Sequence, residues 1–336
     1  MKRRKRLSAK SYVEGVLKGD RVILSQAITL IESSLDLDQN LGDEVMDAIL
    51  PYTGKSIRIG VTGVPGVGKS TFIEQFGLLL VEKGFKVAVL AVDPSSQSSR
   101  GSILGDKTRM EELSMDQRAY IRPSPAGTTL GGVSAKTREA MLLCEAAGFD
   151  VILIETVGVG QSEIAVKAMV DFFLLLMLAG AGDELQGIKK GIVEMCDALV
   201  VNKADGENID EAKKAKRVYS NALHLFPMRE NGWSPKVLTC SGLKGNGLPE
   251  VWEVILQYKS MMLSNGYFEG NRSKQRVSWL NEHAKYLLET AFYKNESVQS
   301  VLASSLQEVE SGKTSAIKVA RALVKLFINQ ETENEE

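Results

Sequence analysis

The sequence predicts an α/β fold in which helices cover both faces of a mostly parallel sheet. Three observations support this prediction. From Ser56 onward, short apolar runs alternate with longer stretches of helical periodicity. A glycine-rich phosphate-binding motif follows the first of these runs. The chain has 336 residues, of which 44% are hydrophobic and 25% charged, so it has room for one large α/β domain with helical extensions.

The order of these patterns predicts three parts. Residues 1–50 form an N-terminal helical extension, because helical periodicity continues from residue 7 to a stop at Pro51. Residues 51–265 form the phosphate-binding α/β domain, and residues 266–336 form a C-terminal helical segment with an acidic tail. The apolar runs that predict strands are 57–62, 87–92, 151–154, 172–178, 199–201 and 237–239. The helices expected in the C-terminal segment lie around 275–292, 297–310 and 314–328.

Composition argues against several classes of protein. The net charge of −1 gives no indication of a nucleic acid or an anionic membrane as a partner. The basic start, residues 1–6, is interpreted as a solvated terminus, with contact to an acidic partner as the alternative. No apolar stretch follows it, so it does not predict a secretory signal. The most apolar run, 172–179, is too short to span a bilayer and predicts a buried strand. We therefore expect a cytoplasmic protein.

The cysteines and histidines are few and scattered. An odd number of cysteines indicates a reducing compartment without a disulfide framework. Without a CxxC motif or a histidine cluster, the pattern favours packing or surface roles over a transition-metal site. The residues concerned are Cys144, Cys196, Cys240, His224 and His283.

The first predicted strand leads into a complete phosphate loop. Gly63-Val-Pro-Gly-Val-Gly-Lys-Ser70 has the spacing G-x-x-x-x-G-K-[ST], with a strand expected before it and a helix after it. Its glycines let backbone N–H groups turn towards phosphates, and the helix N-terminus favours their negative charge. Lys69 is expected to reach the β- and γ-phosphates, and the Ser70 hydroxyl to ligate Mg²⁺. The predicted nucleotide-binding residues here are Gly63, Val64, Pro65, Gly66, Val67, Gly68, Lys69, Ser70 and Thr71.

The phosphate loop alone does not distinguish ATP from GTP, but a second motif does. Asn202-Lys-Ala-Asp205 directly follows the fifth apolar run and has the N-K-x-D spacing of a guanine pocket. The Asp205 carboxylate can accept hydrogen bonds from the guanine N1–H and 2-amino groups. Adenine lacks that donor pair, and a buried acceptor left unpaired costs roughly 1–3 kcal/mol.

The residues around Asp205 complete the predicted base pocket. The Lys203 stem can lie along the base, while Asn202 braces the loop. After the next run, a backbone loop of Ser241, Gly242 and Leu243 is expected to contact the guanine O6. The combination predicts GTP or GDP as the ligand.

Two acidic residues end predicted strands and are candidate magnesium ligands. Asp93 follows the run at 87–92, and Glu155 begins a Glu-Thr-Val-Gly string with the D-x-x-G shape. A carboxylate there can hold Mg²⁺ directly or through water. A helix N-cap is the alternative reading of either acid, above all of Asp93, which Pro and Ser follow. No residue in the phosphate loop reads as a general base, so positioning and electrostatics are expected to carry hydrolysis.

Several longer strings resemble one family, the MeaB/ArgK-like G-protein chaperones of adenosylcobalamin-dependent acyl-CoA mutases. The resemblance covers about residues 10 to 265 in register. It rests on 63–71, Asp93-Pro-Ser-Ser96, Leu104-Gly-Asp-Lys-Thr-Arg-Met110, Tyr120-Ile-Arg-Pro-Ser-Pro125, Glu155-Thr-Val-Gly-Val-Gly-Gln-Ser-Glu163, Gly182-Asp-Glu-Leu-Gln-Gly-Ile-Lys-Lys-Gly191 and Asn202-Lys-Ala-Asp205. The Glu155 and Gly182 strings are far more specific than a phosphate loop.

The resemblance implies a homodimeric GTPase of the signal-recognition/MinD-type P-loop class, with the C-terminal helices in the dimer. Its partner would be a mutase, most often methylmalonyl-CoA mutase, whose cofactor loading it gates and which it protects or reactivates. No cobalamin is expected on this chain alone. By motif, the metal ligands are Ser70, Asp93, Asp106 and Glu155, the catalytic residues Lys69, Asp106 and Glu155, and the partner-sensing switch residues Gln186 and Lys189.

One departure and two rival functions remain open. Ser99-Arg100-Gly101 stands where the family pattern leads us to expect Ser-Gly-Gly, so the dynamics of that loop carry over least. A metallochaperone GTPase for another metalloenzyme would need Cys or His ligands, which the sequence does not group. A small-molecule kinase would need an acceptor pocket, and it would tolerate ATP.

Overall fold

The structure is a computed structural model that describes residues 6–33, 35–92, 110–123, 130–156, 162–180 and 190–333. The chain divides into two compact units, residues 1–275 and 276–336. The first unit holds the sheet, and the second is helical.

The sheet of the first unit has seven strands in the order β3-β2-β4-β1-β5-β6-β7, and every neighbouring pair is parallel. The strands are β1 (Ile57–Gly63), β2 (Val87–Val92), β3 (Ala119–Arg122), β4 (Val151–Thr156), β5 (Phe172–Leu178), β6 (Ala198–Asn202) and β7 (Lys236–Thr239). The predicted parallel α/β fold is confirmed, and each of the six apolar runs falls within a strand. The edge strand β3 lies outside those runs and is an addition to the prediction.

Helices connect the strands and extend both ends of the chain. Those before and between the strands are α1 (Ala9–Leu17), α2 (Arg21–Ile31), α3 (Asp36–Ile49), α4 (Lys69–Glu82), α5 (Glu111–Met115), α6 (Leu130–Ala146), α7 (Ser162–Lys167), α8 (Lys190–Met195) and α9 (Ile209–His224). Those after the last strand are α10 (Leu248–Ser264), α11 (Tyr267–Lys294), α12 (Glu296–Glu310) and α13 (Ala316–Glu333). Within the described part of the chain, no helix combines the length and apolar character needed to cross a membrane.

The N-terminal helices form because their first turns are capped and their apolar sides are buried. Ser8 and Asp20 accept hydrogen bonds from backbone N–H groups at the starts of α1 and α2. These two helices pack with α3 and α6 beside the sheet. The sequence predicts a solvated basic start, but Arg6 instead forms an ion pair with Asp38, with an Nη2–Oδ2 distance of 2.6 Å. Residues 1–5 lie outside the described residues.

The central strands are buried on both faces, as expected for a parallel sheet between helices. On one face, Phe72 and Phe76 stack in α4, and Trp252 of α10 meets Phe76 edge to face. The thiols of Cys144, Cys196 and Cys240 are all buried. This packing fixes β1 in the middle of the sheet and α4 directly after it.

A buried arginine–carboxylate cluster, made of Arg58, Glu145, Asp171 and Arg272, lies at the amino ends of β1 and β5. Arg58 donates to both carboxylate oxygens of Glu145, at 2.8 and 2.9 Å. Arg272 donates to both oxygens of Asp171, at 2.8 and 2.7 Å. All four residues are at most 5% exposed. The cluster joins the start of β1 to α6, β5 and the first turns of α11.

The second unit is built from the later part of α11 with α12 and α13. Asn295 caps α12 by accepting a hydrogen bond from the Val298 N–H at 3.0 Å. Phe292 meets Phe327 edge to face, with ring centroids 5.5 Å apart. Several apolar side chains of this unit stay exposed, among them Leu280, Leu287, Leu288, Val324 and Ile328.

Candidate nucleotide-binding site

The phosphate loop begins where β1 ends, at the carboxyl edge of the sheet. Gly63 has φ 155°, and a Cβ there would lie 2.4 Å from the Leu176 carbonyl oxygen of β5, so only glycine fits. Gly68, with φ 88°, precedes the first residue of α4. No side chain of the described residues caps that helix, so its first N–H groups remain for an anion.

Lys69 folds back over the loop that it follows. Its Nζ donates to the Gly63 carbonyl oxygen at 2.9 Å. Burial lowers the pKa of the Lys69 ammonium, while Glu155 and Glu163 act in the opposite direction. Glu163 lies at the start of α7 and is 2% exposed. The sequence alone did not predict it as a site residue, because it stands only at the end of the longer string that begins with Glu155.

The strands β1 and β4 bring the next two candidates together. Glu155 pairs in register with Val61, and its Oε1 accepts a hydrogen bond from the Ser70 hydroxyl at 3.2 Å. One residue further along, the buried Thr156 hydroxyl donates to the Thr62 hydroxyl at 2.9 Å. This threonine pair ties the strand before the phosphate loop to the strand before residue 157. Sequence patterns gave no signal for it, because the two threonines are far apart along the chain.

Asn202 connects the phosphate loop to the loop that follows β7. It ends β6 and is buried. Its amide nitrogen donates to the Val67 carbonyl oxygen at 2.9 Å, and its amide oxygen accepts from the Gly242 N–H at 2.9 Å. A larger residue in place of Gly242 would crowd α4, because a Cβ there would lie 3.1 Å from the Phe72 Cα. One side chain therefore holds three segments in place.

Lys203 adopts a backbone conformation that is rare for a residue with a side chain. Its φ is 57°, and it is alone among the described non-glycine residues in having a positive φ. The Asn208 amide supports this turn by donating to the Lys203 carbonyl oxygen at 2.7 Å. The exposed side chain runs to the phosphate loop, where Nζ donates to the Gly66 carbonyl oxygen at 2.9 Å. Its methylene stem therefore spans the distance from the loop after β6 to the phosphate loop.

Asp205 is oriented by the loop that follows β7. The Ser241 hydroxyl donates to Asp205 Oδ2, and the same hydroxyl accepts from the Lys244 N–H at 3.0 Å. Ser241 is fully buried, and Asp205 is half-buried. Asp205 Oδ1 has no hydrogen-bond partner within the described residues. The carboxylate therefore presents an unused acceptor beside the loop.

The described part of the predicted site assembles at one edge of the sheet. Contacts between their members join residues 63–71, 202–205 and 241–243, and Glu155 joins through Ser70. Pro65, Thr71 and Leu243 are exposed, and Val67 is buried. Four predicted site residues lie outside the described residues, namely Asp93, Asp106, Gln186 and Lys189, as does Arg100.

Known proteins resemble this chain over most of its length. A family model described as "Methylmalonyl Co-A mutase-associated GTPase MeaB" matches residues 24–297. GTPase ArgK of Escherichia coli K12 is 47% identical, over 88% of this chain and 89% of the relative. The mitochondrial methylmalonic aciduria type A homolog of Mus musculus is 44% identical, over 93% and 78%. The crystal structure of an LAO/AO transport system kinase is 39% identical, with a TM-score of 0.73 over 95% of this chain and 97% of that one.

Proposed function

This chain belongs to the MeaB family of methylmalonyl-CoA mutase-associated GTPases, and we propose that it uses GTP hydrolysis to assist an adenosylcobalamin-dependent acyl-CoA mutase. The reaction converts GTP and water to GDP and phosphate. The proposed partner is methylmalonyl-CoA mutase. In this proposal the chain gates cofactor loading and protects or reactivates the mutase, and it binds no cobalamin alone.

The preference for guanine rests on one observation, the orientation of Asp205. Ser241 engages one carboxylate oxygen, and the other has no partner among the described residues. Guanine offers two adjacent donors, N1–H and the 2-amino group, to such a carboxylate. Adenine offers none there and would leave the acceptor unpaired, which costs roughly 1–3 kcal/mol. Asn202 fixes the distance between this pocket and the phosphate loop.

The phosphates of GTP are proposed to bind to the backbone N–H groups of residues 66–70 and to the Lys69 ammonium. Lys69 Nζ lies on the Gly63 carbonyl oxygen, and that contact can be exchanged for phosphate oxygens without moving the backbone. The uncapped N-terminus of α4 adds its partial positive charge. Together these groups stabilise the charge that develops on the phosphoryl group during transfer to water.

The oxygens of Ser70 and Glu155 fit a magnesium ion. They lie 3.2 Å apart beside the phosphate loop, and hydroxyl and carboxylate oxygens are ligands that Mg²⁺ prefers. Bound there, the ion would neutralise charge on the β- and γ-phosphates. We propose Ser70 and Glu155 as its described ligands, with Asp93 and Asp106 as further ligands. Glu155 and Asp106 are also proposed to position the attacking water.

Partner recognition is proposed to pass through the segment that precedes α8. Gln186 and Lys189 belong to that segment, which the family resemblance marks as a switch. A homodimer is proposed to form through residues 266–336. The exposed apolar side chains of the second unit, such as Leu280, Leu287 and Leu288, support this, because burying exposed apolar side chains favours association.

Phosphate release tests the proposal directly. Turnover of GTP and of ATP is measured with and without a purified adenosylcobalamin-dependent acyl-CoA mutase. We expect slow, GTP-selective turnover that the mutase accelerates. GTP-selective turnover that no tested mutase accelerates would contradict the proposed mutase partner, while it would still support the GTPase activity.

The same assay addresses the kinase alternative. The solved relative described as a transport system kinase is the observation that favours it. A kinase would consume ATP and transfer phosphate to an added acceptor instead of water. Equal use of ATP and GTP would contradict the role assigned to Asp205.

A further inference from the structure

A cavity of about 900 Å³ lies away from the phosphate loop, between the N-terminal helices and the edge strand β3. Three arginines reach its wall, Arg6 before α1, Arg21 at the start of α2 and Arg122 at the end of β3. Among the described residues that line it, none is Asp or Glu. A cavity walled by guanidinium groups and no carboxylate favours an anion.

The three guanidinium groups are not equally occupied. Arg6 is bound to Asp38, and Arg122 is bound to Glu32. Arg21 contacts only a backbone group among the described residues, the Asp116 carbonyl oxygen, at 3.3 Å. It forms no ion pair with a carboxylate within the described part of the chain, although its charge helps Arg118 to lower the pKa of the nearby Asp116.

The carboxylates next to Arg21 are committed elsewhere. Asp20 caps α2, where its Oδ1 accepts from the N–H groups of Val22 and Ile23 at 2.8 and 3.1 Å. Asp116 is held by the side chain of Arg118, with an Nη2–Oδ2 distance of 2.9 Å. Neither carboxylate forms an ion pair with Arg21. An oxyanion from outside the chain would meet no such competition.

The remaining walls suit the organic part of a small molecule. Tyr12 and Tyr120 are almost fully buried, and Ile121 and Pro123 add apolar surface. The Tyr120 hydroxyl is already paired with that of Ser25 at 3.1 Å. Gln26 also lines the cavity, and its side-chain amide has no hydrogen-bond partner among the described residues. It offers two donors on the same helix as Arg21.

We propose that this cavity binds a small molecule that carries a phosphoryl group. A phosphoryl group presents three acceptor oxygens pointing in different directions. This suits the donors that the described residues leave unused, namely Arg21, the Gln26 amide and the Nη1 groups of Arg6 and Arg122, whose Nε and Nη2 hold carboxylates. A carboxylate presents two oxygens in one plane and can engage only one guanidinium fork well. The volume falls within the range of pockets that enclose small organic ligands, and it exceeds the needs of inorganic phosphate.

This pocket is distinct from the GTP site. Strands β2 and β4 separate β3 from β1 in the sheet, so the two strands lie about 14 Å apart at the usual spacing between strands. The proposal therefore does not depend on the mutase partner or on the guanine pocket. A variant at Arg21 should keep its basal GTP turnover.

Calorimetry on the full chain tests the proposal. The protein carries one equivalent of GDP with Mg²⁺, so that the nucleotide site is filled, and it is titrated with ribose 5-phosphate. Ribonate is the comparison ligand, because it has the same five-carbon chain but carries a carboxylate at C1 and no phosphoryl group. Arg21→Gln is the test variant, and Arg217→Gln, which removes an exposed arginine of α9, is the matched control.

We expect one binding event per chain in the wild type and in Arg217→Gln, and at least about tenfold weaker binding in Arg21→Gln, the effect of losing one charge-assisted hydrogen bond. Gln26→Ala should weaken binding by a smaller factor. Unchanged affinity in Arg21→Gln, the absence of binding in the wild type, or ribonate binding as tight as ribose 5-phosphate would each overturn the proposal. Unchanged thermal unfolding of Arg21→Gln shows that the loss is not one of fold.

Discussion

The two edges of the sheet carry polar side chains in opposite arrangements. At the amino edge, the buried arginine–carboxylate cluster pairs each charge with another charge of the chain, and every member is nearly inaccessible. At the carboxyl edge, Lys69 and Lys203 donate instead to backbone carbonyl oxygens, and both keep part of their surface exposed. The charges at the amino edge are therefore paired within the chain, whereas the lysines at the carboxyl edge make hydrogen bonds that a ligand can replace.

The difference shows how the same residue types come to serve stability in one place and binding in another. A buried charge must be compensated inside the protein, so the cluster at the amino edge holds strands and helices together. A half-exposed ammonium on a carbonyl oxygen loses little when it moves to a phosphate. Mutations at the amino edge should therefore act on unfolding, and mutations at the carboxyl edge on nucleotide binding and turnover.

The largest effect is expected for Glu145→Gln. The change keeps the shape but leaves the Arg58 guanidinium buried without its charge partner. Removing one partner of a buried pair lowers the free energy of unfolding by about 3–5 kcal/mol. Denaturant unfolding followed by circular dichroism measures it, with Glu82→Gln, at an exposed position ending α4, as the control. A loss no larger than that of Glu82→Gln would contradict the structural role of the cluster.

In acid, the free energy of unfolding of Glu145→Gln should approach that of the wild type. Burial alone would raise the pKa of Glu145, but the hydrogen bonds and charge of Arg58, with help from Ser56 and Arg272, lower it overall. A lowered pKa contributes stability that is complete above the unfolded value of about 4.3 and is lost as the pH falls through the folded value. The gap in unfolding free energy between wild type and Glu145→Gln should therefore narrow only below about pH 4. A gap that narrows towards alkaline pH would be inconsistent with this cause.

Lys69→Ala removes a charge at the carboxyl edge, where we expect an effect on turnover and not on folding. The loss of the ammonium from the phosphate loop should lower kcat for GTP by about 10²–10³-fold, as for removal of one preorganised electrostatic donor. The free energy of unfolding should change little, because the lost bond joins a half-exposed side chain to a loop carbonyl oxygen. Single-turnover phosphate release and thermal unfolding measure the two effects, with Lys83→Ala at the end of α4 as the control. Wild-type turnover in Lys69→Ala would contradict the proposal that Lys69 binds the phosphates.

Asp205→Asn is expected to change which base is bound rather than whether the protein folds. An amide in place of the carboxylate loses an acceptor for the guanine 2-amino group, so affinity for GDP should fall about 10- to 100-fold. The new amide N–H can instead donate to a carbonyl oxygen, which xanthine carries at that position. Competition between GDP and xanthosine diphosphate measures the exchange. An unaltered order of preference would mean that another residue reads the base.

Local patterns predicted most of this architecture, and the exceptions have physical reasons. The strands 87–92 and 172–178 are continuous apolar runs and were predicted residue for residue. Strand β3 was not, because it is a four-residue edge strand whose last two residues are only half-buried. The residues of the phosphate loop and of the N-K-x-D motif are neighbours along the chain, so their spacing alone predicted them, whereas Asp106, Gln186 and Lys189 were predicted only from the family resemblance.

Contacts between distant segments left no local trace. The Arg58–Glu145 pair spans 87 positions, and the Thr156–Thr62 pair spans 94. Ser241 was predicted only as part of a backbone loop that contacts the base. The structure adds that its hydroxyl donates to Asp205, which lies 36 positions away along the chain. Such contacts depend on sheet order, which the sequence pattern does not specify.

Ser241→Ala tests that added contact and has the smallest expected effect. The alanine keeps the backbone loop but removes the hydroxyl that donates to Asp205 and accepts from the Lys244 N–H. Asp205 itself stays, so guanine can still bind, and the lost orientation should weaken GDP binding by about 3- to 10-fold, the range for one hydrogen bond. Fluorescent GDP titration measures this, and Ser264→Ala, at an exposed serine ending α10, is the control.

Because the Ser241 hydroxyl is buried, a small loss of stability is also expected in Ser241→Ala, and it is separated from the binding effect by thermal unfolding with saturating GDP. Equal GDP affinity in both variants would show that Asp205 is held by the backbone alone, and the carboxyl edge would then be less dependent on side-chain contacts than its geometry indicates.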